Sequence, residues 1–183
     1  MIWLILGVLL WSGAHWFKRI APAQRAAMGN GGKGAVAAAI AVGILLMVIG
    51  YRSMDYIHVY APPTWGVHLT NLLMLAAVAL LGAGHSRSRL RGRLRHPMLT
   101  GVILWSLSHL LVNGHLAAVI LFGGLGLWAI VSIVVINRAE PAPARWHGGS
   151  LAGDVRLLII TLVLYAAIAG IHIWLGVWPF PGR

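Results

Sequence analysis

Four histidines, His15, His68, His109 and His172, fall inside long apolar runs. The whole chain carries 9 histidines against 3 carboxylates and no cysteine. Asp55 and Asp154 lie in a loop or at the end of a run. A proton path through a membrane normally uses Asp or Glu, whereas neutral imidazole is a ligand for haem iron or copper. Without cysteine there is no thiolate metal site, iron–sulfur cluster or thiol nucleophile. A lone membrane histidine most often just bonds a neighbouring helix. Four of them with almost no carboxylate at their depth shift the reading toward metal ligation.

The run 97–112 is the most informative. Gly101, Trp105, His109 and Asn113 recur at a spacing of four and share one helical face. Ser106 stands three before His109 on the same side. A glycine gives room, an indole gives a flat wall and an imidazole gives a donor, which is what a haem pocket requires. Arg95-His96-Pro97 opens this run and has the chemistry to hold an acidic group, a haem propionate or a lipid phosphate. The plainer reading of that motif is a helix start anchored in headgroups. His58, His85, His115 and His147 sit in or beside loops and read as solvated side chains.

Elements long enough to position these groups follow from hydropathy. Hydrophobic residues make up 60% of the 183, charged residues 9%, and mean hydropathy is +0.85. Such a chain has too little polar surface to cover a soluble fold, so an integral membrane protein is expected. Six spans are expected, over 1–17, 34–51, 66–85, 97–112, 116–136 and 155–177, with Pro179 and Pro181 stopping the last. The first run has no basic stretch before it and no small-residue cleavage site after it, so it reads as a span and not a signal peptide. The chain is one domain, 1–183, an all-α bundle.

Charge orients the bundle. Lys18, Arg19, Arg25 and Lys33 follow the first span, Arg87, Arg89, Arg91, Arg93 and Arg95 the third, and Arg138, Arg145 and Arg156 the fifth. Only Arg52 and Arg183 fall on the other side. The positive-inside rule then puts both termini on the periplasmic side of a bacterial inner membrane. The net charge of +11 reports loops facing anionic headgroups, and nucleic-acid binding is not expected. Polar residues concentrate in spans one, three, four and six, which are expected to enclose a polar or cofactor-filled interior. Spans two and five are expected to be lipid-facing.

At about 1.5 Å per residue, His68, His109 and His172 fall in the outer half and His15 in the inner half. His15 with His109 suits a tilted haem. His68 or His109 with His172 suits an upright one. Depth leaves these pairs open.

Several segments resemble one family. They are Gly13-Ala14-His15, Pro62-Pro63-Thr64-Trp65 with His68, the stretch from Arg95-His96-Pro97 through Gly101, Trp105-Ser106-Leu107-Ser108-His109 to Asn113-Gly114, and His172 with Gly176, Pro179 and Phe180. In order and over nearly the whole chain this resembles the NnrU family, named for genes that accompany nitrite and nitric-oxide reduction in denitrifying bacteria. That family is similar to the 15-cis-ζ-carotene isomerase, a membrane protein with haem b. The resemblance implies haem b with His15 and His109 as axial ligands; the reading of the residues themselves puts Arg95, His96, Gly101, Trp105, Ser106, His68 and His172 around it. Ser106 stands where the isomerase has cysteine, so no thiolate acts near the iron here. The implied chemistry is redox or nitric-oxide-linked, or cis–trans isomerisation of a carotenoid-like polyene. The expected partners are the bilayer, a hydrophobic substrate or nitric oxide, and a second copy in a homo-oligomer.

Two alternatives stand beside this. Arg-His-Pro-x-x-x-Gly is also similar to membrane methyltransferases of the isoprenylcysteine type, which bind S-adenosylmethionine. Those need acidic and aromatic residues toward the C-terminus, and here the last acid is Asp154. The other alternative is a non-catalytic assembly factor for a reductase complex.

Overall fold

The computed structural model describes residues 1–141 and 146–182. Arg145 and Arg183, counted above in the charge bias, lie outside the described residues. The described chain is helical, with one isolated bridge between His58 and His115. Six principal helices occupy the expected runs: α1 Ile2–Ile20, α2 Gly31–Arg52, α3 Gly66–Ala83, α4 Pro97–Leu110, α5 Leu116–Ala139 and α6 Leu151–Trp174. A short helix, Pro22–Ala27, joins α1 to α2, and a tight 3-10 turn, Arg89–Gly92, lies between α3 and α4.

Of these, α2, α3, α5 and α6 are long and apolar enough to cross a membrane. With 14 residues, α4 is shorter. Its length of about 21 Å falls short of a bilayer core of about 30 Å. The chain is a membrane protein.

Sequence sets the helix ends. The Ser150 hydroxyl accepts from the Gly153 amide and starts α6 four residues earlier than hydropathy suggests. At its other end the prolines are not what stops α6. Gly176, at φ +84, turns the chain after Trp174, and the Val177 amide closes back on the His172 carbonyl. Only glycine adopts that φ without strain.

Glycine also fixes the closest helix contact. A Cβ on Gly50 would stand 2.3 Å from the Leu4 amide nitrogen, and one on Gly7 2.7 Å from that of Met47. Thus α1 and α2 meet backbone to backbone, the close approach that small residues permit in lipid. Leu4, Met47, Ala117 and Leu125 form the core beside this contact, with Val8, Trp11, Tyr51 and Trp105 packed on it.

The expectation that the fifth span faces lipid is overturned. α5 lies between α1 and α4, with Leu125, Trp128, Ala129 and Ser132 buried. Gly124 leaves room for Val8 of α1, and Gly126 for Ser106 of α4. The Trp16 indole donates to Ser132 at 2.8 Å, which ties α1 to α5. α6 packs on the other side, against α3. There is therefore no single interior enclosed by spans one, three, four and six. The polar residues divide between a seam where α1, α4 and α5 meet and a cavity where α3, α4 and α6 meet.

The loops sort into two ends. At one end Arg19 pairs with Glu140 at 2.9 Å, Arg95 donates to the Glu140 carbonyl at 2.8 Å, and the Ser150 amide donates to the Arg87 carbonyl. At the other, the Val59 and Tyr60 amides donate to the Gly114 carbonyl. The Tyr60 hydroxyl donates to the Leu110 and Asn113 carbonyls, and burial pushes its pKa up, so it remains a donor. Apart from Arg52, every described basic residue stands toward the first end.

Candidate functional site

His15, His109 and His172 share one local geometry. Each Nδ1 faces the carbonyl four residues earlier: Trp11 at 2.8 Å, Trp105 at 2.9 Å and Ile168 at 2.8 Å. A carbonyl only accepts, so Nδ1 carries a proton, and in the neutral ring the lone pair is then on Nε2. This is how a ligating imidazole is held in the tautomer a metal needs. The helix itself supplies the second partner, because the side chain leans back over the preceding turn.

The structure brings His109 and His172 together. Their ring centroids are 6.5 Å apart, with the planes at 43°. Both line a cavity of about 200 Å³ bounded by Val67, Asn71 and Met74 of α3 and Tyr165 of α6, under the C-terminal segment Val177–Pro179. Its polar groups are ordered. Asn71 donates to the Val67 carbonyl at 2.8 Å and to the Pro179 carbonyl at 2.9 Å, and receives a bond from the Tyr165 hydroxyl. Asn71 thus pins the segment after α6 across the cavity. On its other side His109 stacks on Phe122, centroids 4.3 Å apart and planes at 22°.

Phe122 sits in a π turn, Val119–Gly123, inside α5. The extra residue in that turn re-aims the side chains beyond it, a device frequent at functional sites. Sequence reading missed Phe122, although the glycines Gly123, Gly124 and Gly126 marked the region.

His15 is placed elsewhere. Its ring packs between Trp11, at 4.3 Å, and Trp128, at 4.9 Å, on the seam of α1 with α5. His109 contacts α5 at Phe122, six residues before Trp128, so the two imidazoles stand about 9 Å apart along α5. The seam holds three buried polar atoms without a partner among the described residues: Trp11 Nε1, Trp128 Nε1 and Ser106 Oγ. Ser106 faces Gly126 of α5 and not the cavity. Trp105 packs at 5.0 Å from the His109 ring and 4.9 Å from Phe122, between seam and cavity. Gly101 is a packing glycine; a Cβ there would meet the Ala77 carbonyl at 3.0 Å and Leu81 at 3.1 Å. His68 is exposed at the start of α3, off the cavity wall.

Arg95 and His96 are engaged at the basic end. Arg95 donates to the Glu140 and Pro141 carbonyls, and His96 Nε2 lies 2.8 Å from Asn137 Oδ1. Both tie the start of α4 to the end of α5. They stand about 20 Å along α4 from His109.

Among the described residues no group of three or more His, Cys, Asp or Glu is placed to hold a metal ion. A bare structural metal such as zinc needs about four protein donors. Haem brings four nitrogens of its own and needs only an axial pair. Two imidazoles flanking one metal at about 2.0–2.1 Å have their ring centres about 6.3 Å apart. His109 and His172 match that requirement in number and in the separation of their ring centres. The enclosed volume is below the roughly 300–1,000 Å³ typical of cofactor pockets.

No curated protein and no solved structure matches the chain. The family model described as NnrU protein matches residues 3–179, nearly its whole length, and the chain belongs to the NnrU family.

Proposed function

We propose that this NnrU-family membrane protein binds haem b within the bilayer, held by His109 and His172, and acts in redox or nitric-oxide-linked chemistry. The observation that carries this reading is the pair of imidazoles 6.5 Å apart, each with Nδ1 tied to its own helix. Held there, haem b would supply one-electron exchange and a binding site for nitric oxide. The protein's part is to fix both tautomers, to stack Phe122 against one ligand and to hold the C-terminal segment across the cavity through Asn71. The cavity lies between helices and its wall is largely apolar, which suits exchange with a lipid-soluble partner. Isomerisation of a hydrophobic polyene is the enzymatic form of the same reading, and Ser106 leaves it without a thiolate.

A second ligand pair, His15 with His109, has its own support. The unpartnered Trp11, Trp128 and Ser106 atoms lie on the seam between these histidines. The resemblance to the carotene isomerase implies the same pair. That pair requires the indoles to part and the two imidazoles to approach in depth.

In the same reading the bundle sits with six spans in a bacterial inner membrane, the bilayer thinning around the short α4, its basic end cytoplasmic and both termini periplasmic. A reporter fused after Arg183 is expected to read periplasmic, and a cytoplasmic readout removes a span or reverses the topology. The test of cofactor binding is the optical spectrum of the purified protein. Sharp, split visible bands of low-spin haem on reduction are expected. A colourless protein that takes up no haem from the medium returns the methyltransferase and assembly-factor readings.

A further inference from the structure

The basic end holds a second cleft between α3 and α6, lined by none of the residues of the His109 cavity. It encloses about 500 Å³. Leu75 of α3 and Leu158 and Leu162 of α6 form its apolar walls, and Arg89 and Arg93 stand at its rim. Two observations separate it from an ordinary lipid-facing groove.

The first is charge. Asp154 binds Ser88 Oγ at 2.7 Å and the Arg89 amide at 2.8 Å through one oxygen, and the Arg89 side chain through the other. Arg89 is therefore balanced, and the rim is clipped to the first turn of α6. Arg93 is exposed and has no anionic partner among the described residues.

The second is polar. Thr161 lines the cleft, is 4% exposed, and its hydroxyl has no partner among the described residues. A buried threonine in a helix ordinarily bonds the carbonyl a turn earlier. Thr161 lies seven residues beyond Asp154, about 10 Å deeper along α6. The interfacial layer of a bilayer is about 5–8 Å thick. With the Asp154 clip at the outer edge of the headgroups, the hydroxyl stands near the inner edge of that layer, within reach of the ester carbonyls of a phospholipid.

We propose that this cleft binds one anionic phospholipid. Its phosphate rests on Arg93, an ester carbonyl accepts from Thr161, and an acyl chain runs along Leu75, Leu158 and Leu162. Basic pockets between helices at the cytoplasmic side recognise such headgroups. The site does not depend on the haem reading, since it shares no residue with the His109 cavity.

The full chain is reconstituted into vesicles of phosphatidylcholine with a minor fraction of phosphatidylglycerol, released into the gas phase and weighed with its retained lipid. One phosphatidylglycerol per chain is expected to persist where phosphatidylcholine is stripped. Arg93→Gln is expected to lower that retention about fivefold, the share of one basic residue near a membrane surface, and Arg93→Lys to restore most of it. Thr161→Val is expected to lower retention of either lipid, and Leu158→Trp, which fills the cleft from an exposed position, to abolish it. Arg156→Gln, a basic residue on α6 outside the cleft, is expected to leave retention unchanged. Circular dichroism identical to wild type certifies that each variant is folded. Equal retention of the two lipids, or equal losses from Arg93→Gln and Arg156→Gln, would overturn the site. So would displacement by excess inorganic phosphate, which would mark a simple anion site that needs no lipid.

Discussion

Two stretches of this chain repeat the same local device in different surroundings. Trp11 precedes His15 by four residues, and Trp105 precedes His109 by four. In both, the tryptophan carbonyl holds the histidine Nδ1 and the indole packs on the imidazole. The helix dictates this much, since residues four apart face each other. What differs is the neighbour. Trp128 of α5 closes over His15, and the seam is filled with rings. His109 meets His172 of α6 across an open cavity. The same local sequence yields a histidine closed in by a second indole in one place and one that faces a second imidazole in the other. What stands across from the ring distinguishes the two, since each helix supplies the same backbone partner.

The largest expected effect comes from His109, which belongs to both candidate pairs. His109→Ala is expected to abolish haem binding or leave the iron five-coordinate, read as loss of the low-spin bands. No cysteine is available to replace it. Intact low-spin haem in that variant would remove both pairs at once.

Next in size is the closure of the outer end. A Cβ on Gly114 would stand 1.8 Å from the Tyr60 carbonyl oxygen, which Gly114→Ala cannot relieve without moving the loop. A loss of about 1–3 kcal/mol is expected from such overpacking, measured as a lower thermal midpoint in detergent, together with weaker haem retention because Asn113 lines the cavity. A variant as stable as wild type would show that the loop over α4 and α5 is not fixed there.

A smaller effect distinguishes seam from cavity. Trp16→Phe removes the bond to Ser132 and is expected to cost about 0.5–1.5 kcal/mol, with haem content unchanged. If haem content falls with it, the seam and not the cavity holds the cofactor. Smallest is Tyr165→Phe, which frees one acceptor on Asn71 while the Asn71 bond to Pro179 remains. A faster exchange of haem to an acceptor protein is expected, with an unaltered spectrum. No change in exchange rate would show that the Asn71 network does not close the cavity.

Much of this was legible in the sequence. The six apolar runs gave the helices to within a few residues, and the loop arginines gave one basic end. The facing of the helices was harder to read. α5 is apolar on all sides, so its periodicity cannot say whether it faces lipid or protein. Only the packing of Gly124 on Val8 and Gly126 on Ser106 reveals that it is interior. The π turn at Val119–Gly123 shifts the face of α5 by one residue, which no constant period anticipates. The end of α6 was misplaced because Pro179 is a more visible signal than Gly176, whose positive φ acts first.

The most direct test replaces one ligand at a time with a hole that free imidazole can fill. His172→Gly and His15→Gly are prepared as full-length protein loaded with haem, and spectra are taken with and without added imidazole. His172→Gly is expected to lose the low-spin signature and to regain it when imidazole is added, while His15→Gly keeps it throughout. Loss and imidazole rescue in His15→Gly, with His172→Gly unaffected, would contradict the pairing and place the haem in the seam.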